Sequence, residues 1–427
     1  HHHTYGIRLK NESRSISISD NEIHHCLDGI VAHYDTASHS FSFGYSTISG
    51  NNIYQSFRNG IMLNDGANHT TVSDNIIMYS GQNHISTHNL NFQSDSAGYN
   101  TISNNAVAYG GYYSEFMHYP GPSGISIHSS GPGCLVIGNY VAYHYSNSRN
   151  GNNLADGNGL ISDNNPHGSK FINNVCYRNR GNGMTIVKSK NNQIIHNTFI
   201  ESGFNDATSL TSGVSLAMIN AADSLNVISN NIFYNSSRGG ILARSGNLSS
   251  QTYIDNNLYY FASGAPFAGN LPSLYYSTPY LSFEKNAITV DPVITDSLGH
   301  LAPGSPALLA GGNLYSYPTD TDGTSRNTLT PTIGAYENYA VVGIGEAIQV
   351  RKDFKVYPNP TSNILIIEAV DTNDHRQNTF TIYSPDGKLI FSKQLDSAKM
   401  NFIRVNDLHS GMYIFKYGNK SGRFIKN

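Results

Sequence analysis

The chain carries no tryptophan, three cysteines in 427 residues and only 13% charged residues. Cys26, Cys134 and Cys176 are too few for a disulfide framework and no two stand at zinc-ligand spacing, so each is expected as a small buried apolar side chain. Nowhere do about 18 apolar residues run together, which leaves no membrane-spanning segment to assign. Basic residues are scarce over most of the chain: residues 1–350 hold 14 Lys and Arg against 22 Asp and Glu. A nucleic-acid partner calls for a broad basic face, and this body has the opposite balance, so no nucleic acid is expected. The last 77 residues reverse it, with 12 basic against 7 acidic groups, so the formal charge of −3 sums an acidic body and a basic tail.

What the chain has in excess is asparagine and glycine, 51 and 40 residues. Such an excess marks low complexity or a repeat. One pattern recurs as ISDNEI, ISGNNI, VSDNII, ISNNAV, VIGNYV, FINNVC, IIHNTF, ISNNIF and IDNNLY. Its aligned asparagines are Asn21, Asn51, Asn75, Asn105, Asn139, Asn174, Asn197, Asn231 and Asn257, spaced from 23 to 35 residues apart. A short constant period with insertions of varying length describes a stacked coil whose loops leave one edge.

A second signature follows each asparagine: a polar residue, Gly, then alternating apolar positions, as in DGIVAH at Gly29, NGIML at Gly60, SGISIH at Gly124, NGLISD at Gly159 and NGMTIV at Gly183. His84 takes the glycine place in NHISTH, and SGVSLA and GGILAR align on Gly213 and Gly240. Period-two alternation entered through Gly reads as a short strand after a tight turn. Two or three such strands per coil, without helical periodicity, predict an all-β fold: a right-handed parallel β-helix over residues 1–262 with the asparagines stacked as an internal ladder in a left-handed bend. Residues 1–10 already lie in register, so further coils are expected upstream, and the three leading histidines are native or an appended tag.

After Tyr260 the repeat fades. Asp291-Pro292, Ser305-Pro306-Ala307, Asp322-Gly323 and Gly334-Ala335-Tyr336-Glu337 resemble the closing stretch at the end of many secreted bacterial β-helix proteins, which implies that residues 263–337 cap the last coil. Residues 338–353 read as a linker. From Phe354 to the end, alternating strands, a Pro-Asn-Pro entry and an Asp386-Gly387 hairpin turn argue for a small β-sandwich. Tyr357-Pro358-Asn359-Pro360, Gly411-Met412-Tyr413 and the basic Arg423 to Lys426 make this tail resemble the C-terminal sorting domain of the type IX secretion system of Bacteroidetes. The resemblance implies recognition by that machinery, then secretion or attachment at the outer-membrane cell surface.

Chemistry on such a stack belongs to its loops and to residues in register beside them. The longest insertions lie between Asn75 and Asn174 and are rich in Tyr, His, Gly and Pro. Without tryptophan, sugar stacking falls to tyrosine, first to Tyr112, Tyr113, Tyr119 and Tyr145 in these loops. Four residues past the glycine, the column reads Lys10, His33, Asn64, His88, His128, Asp163, Val187, Ala217 and Arg244, with members about 5 Å apart. His88, His128 and Asp163 then form a polar line with Lys188 one residue along on the next coil. Imidazole beside carboxylate and amine suits general acid or base work, although a solvent-facing polar column would look the same. Arg178 and Arg180, within a local basic cluster, could hold a substrate carboxylate bidentately. Asp156, Asp163 and Glu115 could supply oxygen ligands to Ca²⁺. Ordinary surface ion pairing is the alternative for each.

The stretch from Asp156 to Phe199, DGNGLISDNN followed by NNVCYRNRGNGMTIVKSKNNQIIHNTF, resembles the pectate-lyase-like superfamily of secreted right-handed β-helix proteins. That superfamily includes polysaccharide lyases, glycosidases, epimerases and non-enzymatic surface proteins. The leading expectation is a lyase cleaving a uronic-acid polysaccharide by β-elimination, with His128 or Lys188 as base, His88 beside them, and Arg178 and Arg180 on the substrate carboxylate. The alternatives are a glycoside hydrolase, which needs two carboxylates across a cleft, and a non-catalytic polysaccharide-binding or adhesive surface protein.

Overall fold

In the coil that begins at Ile85, three short strands share one core. Ile85–His88, Thr101–Ser103 and Ala106–Ala108 turn Ile85, Ile102 and Val107 inward, and none of the three is exposed. The next coil repeats the placement in parallel register, with Ile85 opposite Ile125, Ile102 opposite Val136 and Val107 opposite Val141. The computed structural model describes residues 4–10, 13–33, 43–64, 66–88, 98–111, 122–128, 132–144, 157–164, 167–203, 213–220, 223–244, 252–261, 274–277 and 284–337 of this unit, and 354–357, 359, 361, 363–369, 379–384, 386–395, 400–417 and 420–426 of the tail.

Stacking produces three long sheets, called A, B and C in the order a coil meets them, of ten, nine and nine strands. Every pairing in them is parallel except the last of sheet A, where Leu274–Ser277 runs antiparallel to Gly239–Arg244. No helix occurs among the described residues. The molecule is thus an all-β, right-handed parallel β-helix followed by a small β unit, the hand being the one that parallel crossover connections adopt. One coil cannot bury its own apolar faces, so a continuous core of Ile, Val, Leu and Phe through the stack supplies the stability. Cys26, Cys134 and Cys176 are free, buried members of that core, as expected from their sparsity.

The asparagine ladder runs unbroken between sheets B and C. The Oδ1 of Asn139 accepts from the backbone N–H of Asn105 at 2.9 Å and from its Nδ2 at 3.0 Å, while Asn139 Nδ2 donates to Asn174 Oδ1 at 3.0 Å. The same links recur from Asn21 to Asn257, whose Nδ2 donates to the buried carboxylate of Glu284 at 2.9 Å. The left-handed residue is the one before each ladder asparagine, such as Asp74 (φ 56°), Asn104 (φ 54°) and Asn173 (φ 55°), and not the ladder residue itself.

The glycine column has a different cause from the tight turn expected. Gly29 and Gly159 are not left-handed; a Cβ on them would sit 2.4 and 2.6 Å from the carbonyl oxygens of Gly60 and Gly183 in the next coil. Close coil-to-coil approach therefore excludes a side chain. His84, which occupies this column, lies beside Gly110, where a Cβ would meet its ring at 2.8 Å. One glycine thus makes room for another's replacement.

Residues 284–337 do more than end the stack. Glu284 closes the ladder and Ile288 bridges in parallel to Leu258, continuing the coil. The chain then runs back along the B–C corner as a strap. Asn230 holds the carbonyls of Gly312 and Tyr315, Asn173 holds that of Thr319, and the Ala335 N–H donates to Thr198 Oγ1 at 2.9 Å. Leu301, Ala307 and Ile333 pack on the outward Ile232 and Leu258, forming a second core. His300 ties the strap to itself, its Nδ1 2.7 Å from Asp296 and its Nε2 3.8 Å from Asp322.

The tail, a separate unit from about Val341, pairs a three-stranded and a four-stranded antiparallel sheet around Leu365, Ile367, Phe380, Ile382, Phe415 and Phe424. Asn359 of the Pro-Asn-Pro entry accepts from the Ile425 N–H at 2.8 Å and donates to Arg423 O at 3.2 Å. The motif therefore pins the basic terminal strand in place.

Candidate functional site

The end of sheet A gathers the polar line. Ile85–His88, Ser123–His128 and Asn158–Asp163 each finish on an outward residue, and parallel register sets His88 beside His128 and His128 beside Asp163. The imidazoles of His88 and His128 meet at 4.5 Å between centroids, inclined at 67°. His128 Nε2 stands 3.5 Å from Asp163 Oδ2, both side chains 29% exposed. Burial lowers the pKa of His128 from its ordinary value, favouring the neutral, proton-accepting ring. Burial pushes the Asp163 carboxyl up, opposed by the charges of Lys188 and His88. Lys188 follows Met184–Val187 in a left-handed bend (φ 48°) and is exposed. On the other side of His88 the column continues to Asn64, whose buried Oδ1 has no hydrogen-bond partner among the described residues.

Other expected members lie elsewhere. Ala217 pairs with Thr185, two places short of the column, because Ser215 and not Gly213 aligns with Gly183. Arg178 sits at the corner between sheets C and A (φ 50°), in ion pair with Glu201 and 5.2 Å above the Tyr177 ring. Arg180 is on the same corner, its N–H donating to His144 O. The length of a sheet-A strand, roughly 15–20 Å at 3.3 Å per residue, separates these arginines from the histidines. Tyr112, Tyr113, Glu115, Tyr119, Tyr145 and Asp156 lie outside the described residues.

For Ca²⁺, the only described member of the expected ligand set is Asp163. Its carboxylate faces an imidazole and an ammonium, and no group of three metal-ligating side chains occurs among the described residues. One carboxylate is short of the six or more oxygens that a hard cation takes, and the other two expected ligands, Glu115 and Asp156, lie outside the described residues.

A second histidine pair escaped the sequence reading. His84 and His144, both fully buried, approach at 2.7 Å between Nδ1 and Nε2, and His144 Nδ1 is 2.9 Å from Asn179 Oδ1. Asn179 Nδ2 donates to Val141 O, which fixes its Oδ1 as the acceptor; His144 then donates from Nδ1 and accepts from His84. Burial lowers His144 to about 4. The signal was present in the sequence: His84 breaks the glycine column.

Among known proteins, residues 355–427 match the family described as a secretion system C-terminal sorting domain. The chain is therefore a β-helix with a type IX sorting tail, secreted or displayed at the cell surface and engaged by that machinery through the tail. No helix among the described residues is long and apolar enough to cross a membrane. No curated protein sequence matches the chain. A solved structure titled "The complex structure of XylC with xylose" is 12% identical with a TM-score of 0.37; the match covers 91% of this chain and 66% of that one, just under two thirds. A likeness of that size bears on neither substrate nor site.

Proposed function

We propose that the protein is a secreted polysaccharide lyase that cleaves a uronic-acid polymer by β-elimination at the end of sheet A. The observation that carries this reading is the His128–Asp163 pair flanked by His88 and Lys188. A neutral His128 removes the proton next to the substrate carboxylate, and Asp163 orients the ring and stabilises the imidazolium that forms. The bond to the leaving glycosidic oxygen breaks as a carbon–carbon double bond forms, and His88 is the group placed to protonate that oxygen. Arg178 is held by Glu201 at the far end of the strand, so Lys188 takes over neutralising the substrate carboxylate. The carboxylates that would pair with Asp163 in a hydrolase, Asp156 and Glu115, lie outside the described residues.

The test is incubation with pectate, alginate and neutral glycans, following absorbance of unsaturated ends together with new reducing ends. Both signals on a uronic-acid polymer, lost at least 100-fold in His128→Ala, are expected. Reducing ends alone, no product at all, or full activity in His128→Ala would each overturn the proposal.

A further inference from the structure

The outward face of sheet B differs along the stack. On three successive coils it is built by YSTIS, HTTVS and YNTIS, residues 45–49, 69–73 and 99–103. Register sets Thr47, Thr71 and Thr101 in one column and Ser49, Ser73 and Ser103 in a second, and Ser17 and Ser19 extend both by one coil. A third column runs alongside at left-handed positions: Tyr45, His69 and Tyr99 (φ 52°, 47° and 56°). Their rings stack at 4.7 and 5.2 Å, with Tyr45 58% and Tyr99 53% exposed. The stack ends on Gly133, where a Cβ would strike the Tyr99 ring at 2.9 Å. On the following coil Leu135 and Ile137 replace the hydroxyls, and farther on Ile172, Ile195 and Ser229 are buried at the corner that the strap crosses.

We propose that this bare face, over the coils from Ser15 to Ser103, docks a neutral glycan chain lying along the solenoid axis, one sugar to a coil. The coil repeat of about 4.8 Å is close to the advance of one sugar along an extended chain, so each unit meets the same phenol or imidazole, threonine and serine. The three columns contain no charged residue; Asp20 and Asp74, at the left-handed corner beyond the serines, repel polyanions, and Arg14 flanks the face only on its first coil, beside Ser15. Because the rings stack on each other, their faces are used within the protein and their edges and polar tips point outward. Binding therefore draws on hydrogen bonds, ring edges and threonine methyls, weak at one coil and multiplied over several. The surface is separate from the end of sheet A and does not depend on the lyase reading.

The experiment is retention of the full chain on microcrystalline cellulose, insoluble xylan and chitin, with immobilised dextran sulfate as a polyanion that is not a uronic-acid polymer. Retention on at least one neutral glycan and none on dextran sulfate is expected. Thr71→Lys with Thr101→Lys, both outward on strands, should weaken that retention 10-fold or more while the circular dichroism spectrum and any release of unsaturated ends stay unchanged. His69→Ala should weaken it too. No retention on any neutral glycan, undiminished retention of the double variant, or stronger retention on dextran sulfate would overturn the proposal. So would a thermal-hysteresis signal without glycan retention, which would make the regular hydroxyl array an ice-ordering face instead.

Discussion

Replacing Asn139 by alanine tests the ladder at its centre. The side chain accepts two hydrogen bonds from Asn105 and donates to Ile102 O, Ile137 O and Asn174 Oδ1. Two of its partners have alternatives: Asn105 Nδ2 keeps Val72 O and Ser103 O, and Asn174 Oδ1 keeps the Asn139 N–H. The buried Asn105 N–H and the carbonyl of Ile102 lose their side-chain partner. At roughly 1–3 kcal/mol for each of these two buried groups, Asn139→Ala should cost roughly 2–6 kcal/mol. The exposed Asn406→Ala should cost less than about 0.5 kcal/mol. Asn139→Asp sharpens the test, because a carboxylate can still accept from Asn105 while its other oxygen faces three acceptors. Its folded pKa must rise above the unfolded value of about 3.9, so the deficit is full at neutral pH and shrinks as pH falls toward that value. Urea unfolding of the full chain, followed by far-ultraviolet circular dichroism, measures all three. Equal midpoints for Asn139→Ala and Asn406→Ala, or an Asn139→Asp deficit that ignores pH, would refute the ladder as a source of stability.

Two histidines set opposite limbs of the stability profile. His144 is depressed from 6.5 to about 4 in the fold, so its contribution is complete above 6.5 and is lost as pH falls from there to 4. The loss is roughly 2–4 kcal/mol, and His144→Asn should flatten that limb in a series of thermal melts. His300 is raised to about 10 by Asp296 and Asp322 against the opposing effect of burial, so its contribution is complete below 6.5 and is lost as pH rises through 10. His300→Gln should remove that alkaline loss and expose the strap to limited proteolysis at pH 7, whereas equal cleavage of both proteins would contradict the tie.

Much of the fold was legible because its defining interaction repeats in sequence as well as in space. Each ladder asparagine sits in the same six-residue pattern, so nine of them gave register, period and fold class together. Register also carried the His88–His128–Asp163 line, since counting from the glycines is counting along sheet A. It failed at Ala217, where the glycine of SGVSLA lies two residues upstream of the true equivalent, Ser215. Pairings that depend on a rule being broken were harder to read. His84 meets His144 60 residues away only because Gly110 leaves space, and Arg178 meets Glu201 exactly one coil on, a distance that charge counting alone does not reveal.

The ladder is also a vector. From Asn51 to Asn257 each side-chain carbonyl points toward the preceding coil and one amide N–H toward the following one, while the amide also reaches back to a backbone carbonyl, as Asn139 does to Ile102 O, so it is the carbonyl dipoles that add along the axis as peptide dipoles add in a helix. The positive end emerges at the last coil, where the acceptor is the carboxylate of Glu284, itself held by the Tyr259 hydroxyl at 2.8 Å. An anion at that end satisfies the final donor and counters the accumulated field. It also offers an incoming coil no amide to pair with, so the stack carries its own chemical stop signal.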